Sequence, residues 1–162
     1  FFHRPTRTLI VTDAVIFVPQ AAPEVISANN SEALLISAAD TTLDDPENGT
    51  IGKTPLDDSV ANRRRGWSIM ALRVSFLTPV EGVERTFNKL ARRLIVSPLV
   101  EILVFSKALP SVRAWCDAIV EDWDFKRIIP AHYDAPVMAG PAEFRRAFDF
   151  AYEGEHGGAR AG

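Results

Sequence analysis

The alternation of apolar and polar segments at the start of the chain predicts two strands joined by a turn. Phe1 and Phe2 end one apolar segment, and residues 4–7 contain Pro5. Residues 7–18 start at Arg7 and are then mostly apolar or β-branched, with Asp13 as the one carboxylate. Proline fixes φ and lacks an N–H, so it suits the turn of a hairpin. A strand this apolar is normally covered on both faces. Asp13 therefore requires a turn, a cation or a metal as its partner, because an unpaired buried charge is costly.

The next segment, residues 19–65, changes to a composition rich in Ser, Asn, Asp, Pro and Gly. A short apolar run at 33–38 interrupts it, and residues 34–36 are expected to anchor it by packing. Long loops inside compact domains are usually functional or disordered insertions. The sequence thus predicts a long, irregular, loop-rich insertion at 19–65.

Apolar residues then recur at helical spacing. The expected helices are 68–77, 83–94, one that starts or kinks at Pro98, and 109–123. In the last of these, Val112, Cys116 and Ile119 share one apolar stripe. We therefore expect Cys116 to be a small buried hydrophobe, since a reactive thiol needs an electropositive, accessible site.

The pattern near the end of the chain predicts a short strand at 127–129, a loop, and a final helix that starts at Pro141. The loop is bounded by Pro130 and Pro136 and carries His132. A helix that runs into a strand is an α/β unit, and ligand sites in such folds gather at the carboxyl ends of strands. Residues 153–162 are expected to form a flexible tail.

Asp13 and His132 both follow apolar strands, which makes them the leading site candidates. A carboxylate and an imidazole are metal ligands and also the elements of a general acid–base pair. Tyr133 and Asp134 are further candidates beside them. The alternative is structural, with Asp13 capping a turn and His132 bonded to backbone. One ion requires the two side chains to lie within about 7 Å of each other, since metal–ligand bonds are near 2 Å.

Composition narrows the classes of partner. The 162 residues are 47% hydrophobic with a net charge of −3, which predicts a globular domain with no nucleic-acid footprint. A single cysteine is compatible with a reducing compartment, which favours an intracellular protein and leaves the organelle open. The cluster 63–65, all arginine, before an apolar run gives a weaker alternative, a peripheral membrane protein. The chain starts at Phe1 without Met, so we expect a fragment or a processed product.

Three stretches carry a resemblance to a known family. They are residues 2–13, 62–67 and 123–132, followed by matching positions from Gly140 to Phe148. Together they resemble the uncharacterised domain-of-unknown-function family numbered 4336, which is in turn similar to the metallo-β-lactamase fold. The resemblance implies the C-terminal half of an αββα sandwich, an α/β (α+β) class protein with one partial domain over residues 1–152.

The same resemblance implies a metal-dependent hydrolase. It assigns a metal-bridging role to Asp13 and a terminal zinc-ligand role to His132, with zinc as the cofactor and a small molecule as the substrate. The superfamily's cluster of His-x-His-x-Asp-His is absent from this chain, so the missing N-terminal half or a partner chain is expected to be needed. The alternative from another class is a non-catalytic descendant that binds a ligand or partner.

Overall fold

The computed structural model describes residues 1–75, 79 and 82–153. Its strands are β1 (Phe2–His3), β2 (Thr8–Ile10), β3 (Ile16–Phe17), β4 (Leu94–Ile95) and β5 (Arg127–Ile129). Its helices are α1 (Glu24–Asn29), α2 (Ser31–Ala38), α3 (Val60–Val74), α4 (Val83–Leu90), α5 (Pro98–Leu103), α6 (Leu109–Asp122) and α7 (Pro141–Ala147). The protein is a mixed α+β structure, about 50% helical with small sheets.

The chain divides into two compact units. Residues Phe1–Phe17 and Arg93–Gly162 form one, called here the sheet unit, and Val18–Arg92 form the other, the helical unit. The expected domain of residues 1–152 stays a prediction. Residues 154–162 of the expected tail lie outside the described residues.

The sheet unit contains two small sheets. In the first, β1 pairs antiparallel with β2, and β2 pairs parallel with β5, in the order β1-β2-β5. In the second, β3 pairs antiparallel with β4. A 3-10 turn at Arg4–Thr6 joins β1 to β2, so the hairpin expected around Pro5 is confirmed.

The strand expected over residues 7–18 is not continuous. β2 ends at Ile10, the chain bends at 12–14, and β3 begins at Ile16 in a different sheet. The bend places Asp13 in solvent, which removes the cost of burying its charge. The strand is also open on one face, because Leu9 is 1% exposed while Ile10 is 39% exposed. The expectation that it would be covered on both faces is therefore wrong.

The core of the sheet unit contains an aromatic cluster. Phe144 packs at a ring-centroid distance of 5.9 Å from Phe125 and 5.1 Å from Phe148, and all three are buried. Cys116 is fully buried on α6, which confirms its expected place in the core. Burial raises the pKa of its thiol, because burial disfavours the thiolate.

Proline marks the starts of two helices as the sequence predicts. Pro98 lies at the first turn of α5 and Pro141 at the first turn of α7. The carboxylate of Glu143 accepts a bond of 2.9 Å from the backbone N–H of Gly140. This bond lowers the pKa of Glu143 and satisfies a donor that α7 leaves unpaired.

Regular structure occurs within the segment that was expected to be irregular. Residues 19–65 contain α1, α2 and the start of α3. Helix α3 begins earlier than the expected 68–77, because Ser59 caps it by accepting a bond of 3.2 Å from the N–H of Asn62. The end of that expected helix, residues 76 and 77, lies outside the described residues.

Close contact between α2 and α3 builds the helical unit. Leu34 and Leu35 of α2 are buried, which agrees with their expected anchoring role. Gly66 lies on α3 directly against Leu34, and a Cβ there would overlap the Leu34 carbonyl group. Glycine thus permits the two backbones to approach.

The helix expected over 83–94 is shorter in the structure. α4 ends at Leu90, and Arg92 adopts a left-handed conformation with φ of 61°. The N–H of Arg92 donates a bond of 2.9 Å to the carbonyl oxygen of Val18. This local turn ends the helix, and β4 begins at Leu94 in the sheet unit.

Candidate functional site

The parallel pairing of β2 with β5 sets the position of the candidate site. Ile10 and Ile129, the last residues of the two strands, are register partners. Beyond them the backbones stay in contact, since the N–H of Val11 donates to the Ile129 carbonyl oxygen at 3.0 Å, and the N–H of Ala131 donates to that of Thr12 at 3.1 Å. The residues that follow each strand are therefore brought to the same edge of the sheet.

Asp13 and His132 meet at this edge. The Nε2 atom of His132 lies 2.9 Å from Oδ1 of Asp13. Both side chains are accessible, with exposed fractions of 65% for His132 and 55% for Asp13. Nε2 therefore faces the carboxylate, and Nδ1 is the ring nitrogen on the side away from Asp13. The structure thus joins the two leading candidates of the sequence into one pair.

Tyr133 and Asp134 hold the loop that carries His132. Tyr133 forms a parallel bridge with Phe17 and has φ of 67°. The N–H of Asp134 donates a bond of 3.1 Å to the carbonyl oxygen of Phe17. The backbone of both candidates fixes the loop next to His132.

The donor atoms of the pair agree with zinc in kind. Zinc takes imidazole nitrogen and carboxylate oxygen, and a separation of 2.9 Å meets the requirement that one ion reach both atoms. Catalytic zinc usually has three protein ligands. Among residues 1–75, 79 and 82–153, no group of three or more His, Cys, Asp or Glu side chains is placed to hold a metal ion. The described residues therefore supply a partial ligand set, and zinc stays a prediction.

His3 stands apart from this pair, as its place in the hairpin suggests. Its Nδ1 atom lies 2.7 Å from Oγ1 of Thr6, beside the turn that joins β1 to β2. The pair lies beyond the opposite end of β2. His3 is consequently a useful control for experiments on His132.

A buried carboxylate that the sequence did not single out organises part of the helical unit. Asp40 is almost fully buried and pairs with Arg73 at 2.8 Å. It also accepts bonds from the N–H and hydroxyl of Thr42, at 2.9 and 2.6 Å. Burial opposes its ionisation, but the bonds from Thr42 and the pairing with Arg73 outweigh burial and lower its pKa. The Asp-x-Thr spacing is a turn signal that would have identified the local half of this arrangement.

A second cluster that the sequence did not reveal lies in the sheet unit. The hydroxyl of Tyr152 donates a bond of 2.7 Å to Asp117, and the guanidinium of Arg145 lies 3.0 Å from the centre of the Tyr152 ring. Burial and the bond to Asp117 raise the pKa of Tyr152. The cluster ties Tyr152 to α6, and the neighbouring thiol of Cys116 is fully buried.

The basic cluster 63–65 is paired with acids in the helical unit. Arg63 pairs with Asp58, Arg64 with Glu84 at 3.3 Å, and Arg65 with Asp44. A cavity of about 530 Å³ lies between α3 and α4 beside Arg64 and Glu84. No helix in the described part of the chain is long and apolar enough to cross a membrane.

Comparison with known proteins identifies the family. The model of the domain of unknown function DUF4336 matches residues 1–82 and 80–150, which together cover most of the chain. No curated protein and no solved structure matches the chain. The matched range includes Asp13 and His132 and extends over both compact units. The chain therefore belongs to the DUF4336 family.

Proposed function

We propose that this protein is a metal-dependent hydrolase of the metallo-β-lactamase-like type, with its site at the Asp13–His132 pair. The observation that carries the proposal is the contact of 2.9 Å between two accessible ligand-type side chains at the carboxyl ends of adjacent parallel strands. This is where α/β proteins usually bind ligands. Asp13 and His132 would hold the ion, and a small molecule would be the substrate.

The chain's own residues supply binding and orientation at this site. Backbone bonds on both strands hold Asp13 and His132 close together, so little ordering is needed for both to bind one ion. Bound zinc would lower the pKa of a water molecule and provide a nucleophile at neutral pH. The exposure of both side chains leaves room for water and substrate on the solvent side.

The open face of the first sheet supports the sandwich architecture as part of the proposal. Leu9 and Ile128 face the core and are 1% and 0% exposed, whereas Ile10 and Ile129, on the opposite face, are 39% and 37% exposed. Side chains alternate between the two faces of a strand. We propose that a further sheet, from an N-terminal half or a partner chain, covers this face and brings the remaining metal ligands.

Metal content tests the proposal. The purified protein should bind zinc, and Asp13→Ala and His132→Ala should each lower zinc occupancy by about tenfold or more, since a lost ligand typically costs well over 1.4 kcal/mol. The matched control is His3→Ala, which removes another exposed histidine of the sheet unit. It should retain the zinc content of the unmodified protein. Cobalt substitution gives an independent readout through its visible absorption.

A metal-free protein after incubation with zinc would overturn this function, as would zinc retained in both alanine variants. A protein that neither binds metal nor hydrolyses small chromogenic esters would instead support a non-catalytic descendant that binds a ligand or partner. The open sheet face would then be the surface to test for that partner.

The direct contact in the pair favours a second function that needs no metal. Asp13 lies against Nε2 of His132, so it could hold the imidazole while Nδ1, the opposite ring nitrogen, acts as a base. Ester hydrolysis that survives a chelator and is lost in Asp13→Asn would support this function. Hydrolysis abolished by the chelator and restored by zinc would reject it in favour of the metal-dependent one.

A further inference from the structure

Tyr133 has an unusual backbone conformation next to the proposed site. Its φ of 67° lies in the left-handed region, which residues with a Cβ rarely adopt. Arg7 and Arg92 share this conformation, with φ of 50° and 61°. Those two follow a 3-10 turn and a helix, where the chain has to reverse. Tyr133 instead lies within the loop that carries His132.

Backbone bonds fix the loop on both sides of His132. On the preceding side, the N–H of Ala131 donates to the carbonyl oxygen of Thr12 at 3.1 Å. On the following side, the N–H of Asp134 donates to the carbonyl oxygen of Phe17 at 3.1 Å. His132 is held between these two contacts, and Tyr133 lies between His132 and the second one.

Both contacts require a sharp change of direction at Tyr133. An extended or right-handed residue at this position would point the following residues in another direction. The hydrogen bond from Asp134 to Phe17 would then be lost, while the bond from Ala131 to Thr12 remained. These two backbone contacts flank His132, whose ring lies 2.9 Å from Asp13. Strained residues of this kind persist where the surrounding structure holds them, and they concentrate at functional sites.

We propose that Tyr133 is a positioning residue, whose left-handed backbone directs His132 towards Asp13. This inference rests on the proposed site and adds a role for Tyr133 that the metal or base chemistry alone does not assign. It concerns the backbone, so the variants have to separate the backbone from the lost side chain.

The test compares Tyr133→Gly with Tyr133→Ala. Both remove the aromatic ring, and they differ by one Cβ, which penalises the left-handed conformation in alanine and not in glycine. The readout is the nitrogen NMR spectrum of the His132 ring in labelled protein, which reports the protonation of Nε2, the atom that lies 2.9 Å from Asp13. We expect the glycine variant to keep the spectrum, and the alanine variant to lower the population of His132 in contact with Asp13 by about fivefold.

Two controls keep the result specific. Arg7→Gly and Arg7→Ala make the same comparison at another left-handed residue of the sheet unit, and they should leave the His132 spectrum unchanged. Tyr133→Asn should resemble the glycine variant, because asparagine tolerates the left-handed region. Thermal unfolding monitors whether each variant is folded.

Identical His132 spectra for the folded alanine and glycine variants would overturn the positioning role. So would loss of the Nε2 proton signal in the glycine variant, which would assign the role to the side chain. The zinc affinities of the same variants form a separate arm. An unmodified protein that binds no zinc would reject the metal-dependent function, while the nitrogen spectra would still decide the role of Tyr133.

Discussion

The imidazole of His132 and the carboxylate of Asp13 contact each other at 2.9 Å, and both are more than half exposed. Exposed ion pairs contribute little to stability, because water screens them and the side chains lose freedom. Asp13→Ala and His132→Ala should therefore change the free energy of unfolding by less than about 1 kcal/mol. Urea denaturation checks this, and a larger loss in either variant would assign the pair a structural role.

The ion pair between Asp40 and Arg73 should stabilise the helical unit. The side chain of Asp40 is 3% exposed and that of Arg73 is 41% exposed, so water partly screens the pair. Asp40→Asn should lower the free energy of unfolding by about 1–3 kcal/mol through weakened bonds to a charged group. Denaturation near neutral pH measures this, with the exposed Asp124→Asn as the control variant.

The contribution of Asp40 should also depend on pH. Its pKa is lowered in the folded protein relative to the ordinary value of 3.8. The contribution is therefore complete above pH 3.8 and is lost as the pH falls through the folded pKa. The stability difference between the unmodified protein and Asp40→Asn should shrink in that acidic range. A difference that stays constant down to a pH of about 2.5 would contradict the lowered pKa.

Gly66 should be intolerant of a methyl group. Replacing glycine by alanine inside a helix normally gains up to about 1 kcal/mol. Here the added Cβ would overlap the carbonyl group of Leu34, so Gly66→Ala should instead cost about 1–3 kcal/mol. The change in urea midpoint measures the effect. The control Ala61→Gly changes an exposed position of the same helix. Its free energy of unfolding should fall by about 1 kcal/mol through helix propensity alone.

The aromatic core of the sheet unit should be sensitive to truncation. Phe148 is fully buried and lies 5.1 Å from Phe144 and 5.6 Å from Trp115 between ring centres. Phe148→Ala should cost about 3–5 kcal/mol, from lost burial and the cavity left behind. Phe1→Ala is the matched control, because Phe1 is 76% exposed. This variant should lower the free energy of unfolding by under about 1 kcal/mol. A cost of similar size for both variants would show that the core is not where the structure places it.

The local sequence determined several elements directly. The stripe that includes Cys116 predicted α6, the prolines at 98 and 141 predicted two helix starts, and the run at 127–129 predicted β5. Each depends on residues close together in the chain, through side-chain periodicity or the missing N–H of proline. The same local reasoning singled out Asp13 and His132 as polar residues that follow apolar strands.

Other features were decided by contacts between distant parts of the chain. The apolar pattern of 7–18 contains no signal that β2 ends at Ile10 and that Ile16 joins another sheet. The pairing of Asp40 with Arg73 likewise depends on how α3 packs. Periodicity describes which face of an element is apolar, and it does not specify which element covers that face.

The candidate site shows most clearly what depends on local sequence and what depends on contacts between distant residues. The sequence by itself determined that Asp13 and His132 have the chemistry of a metal site or an acid–base pair. Only the tertiary structure decided that they touch, because the parallel register of Ile10 with Ile129 aligns the ends of two strands that lie far apart in sequence. Strand register is set by the packing of the whole sheet, with Leu9 and Ile128 buried together on its core face.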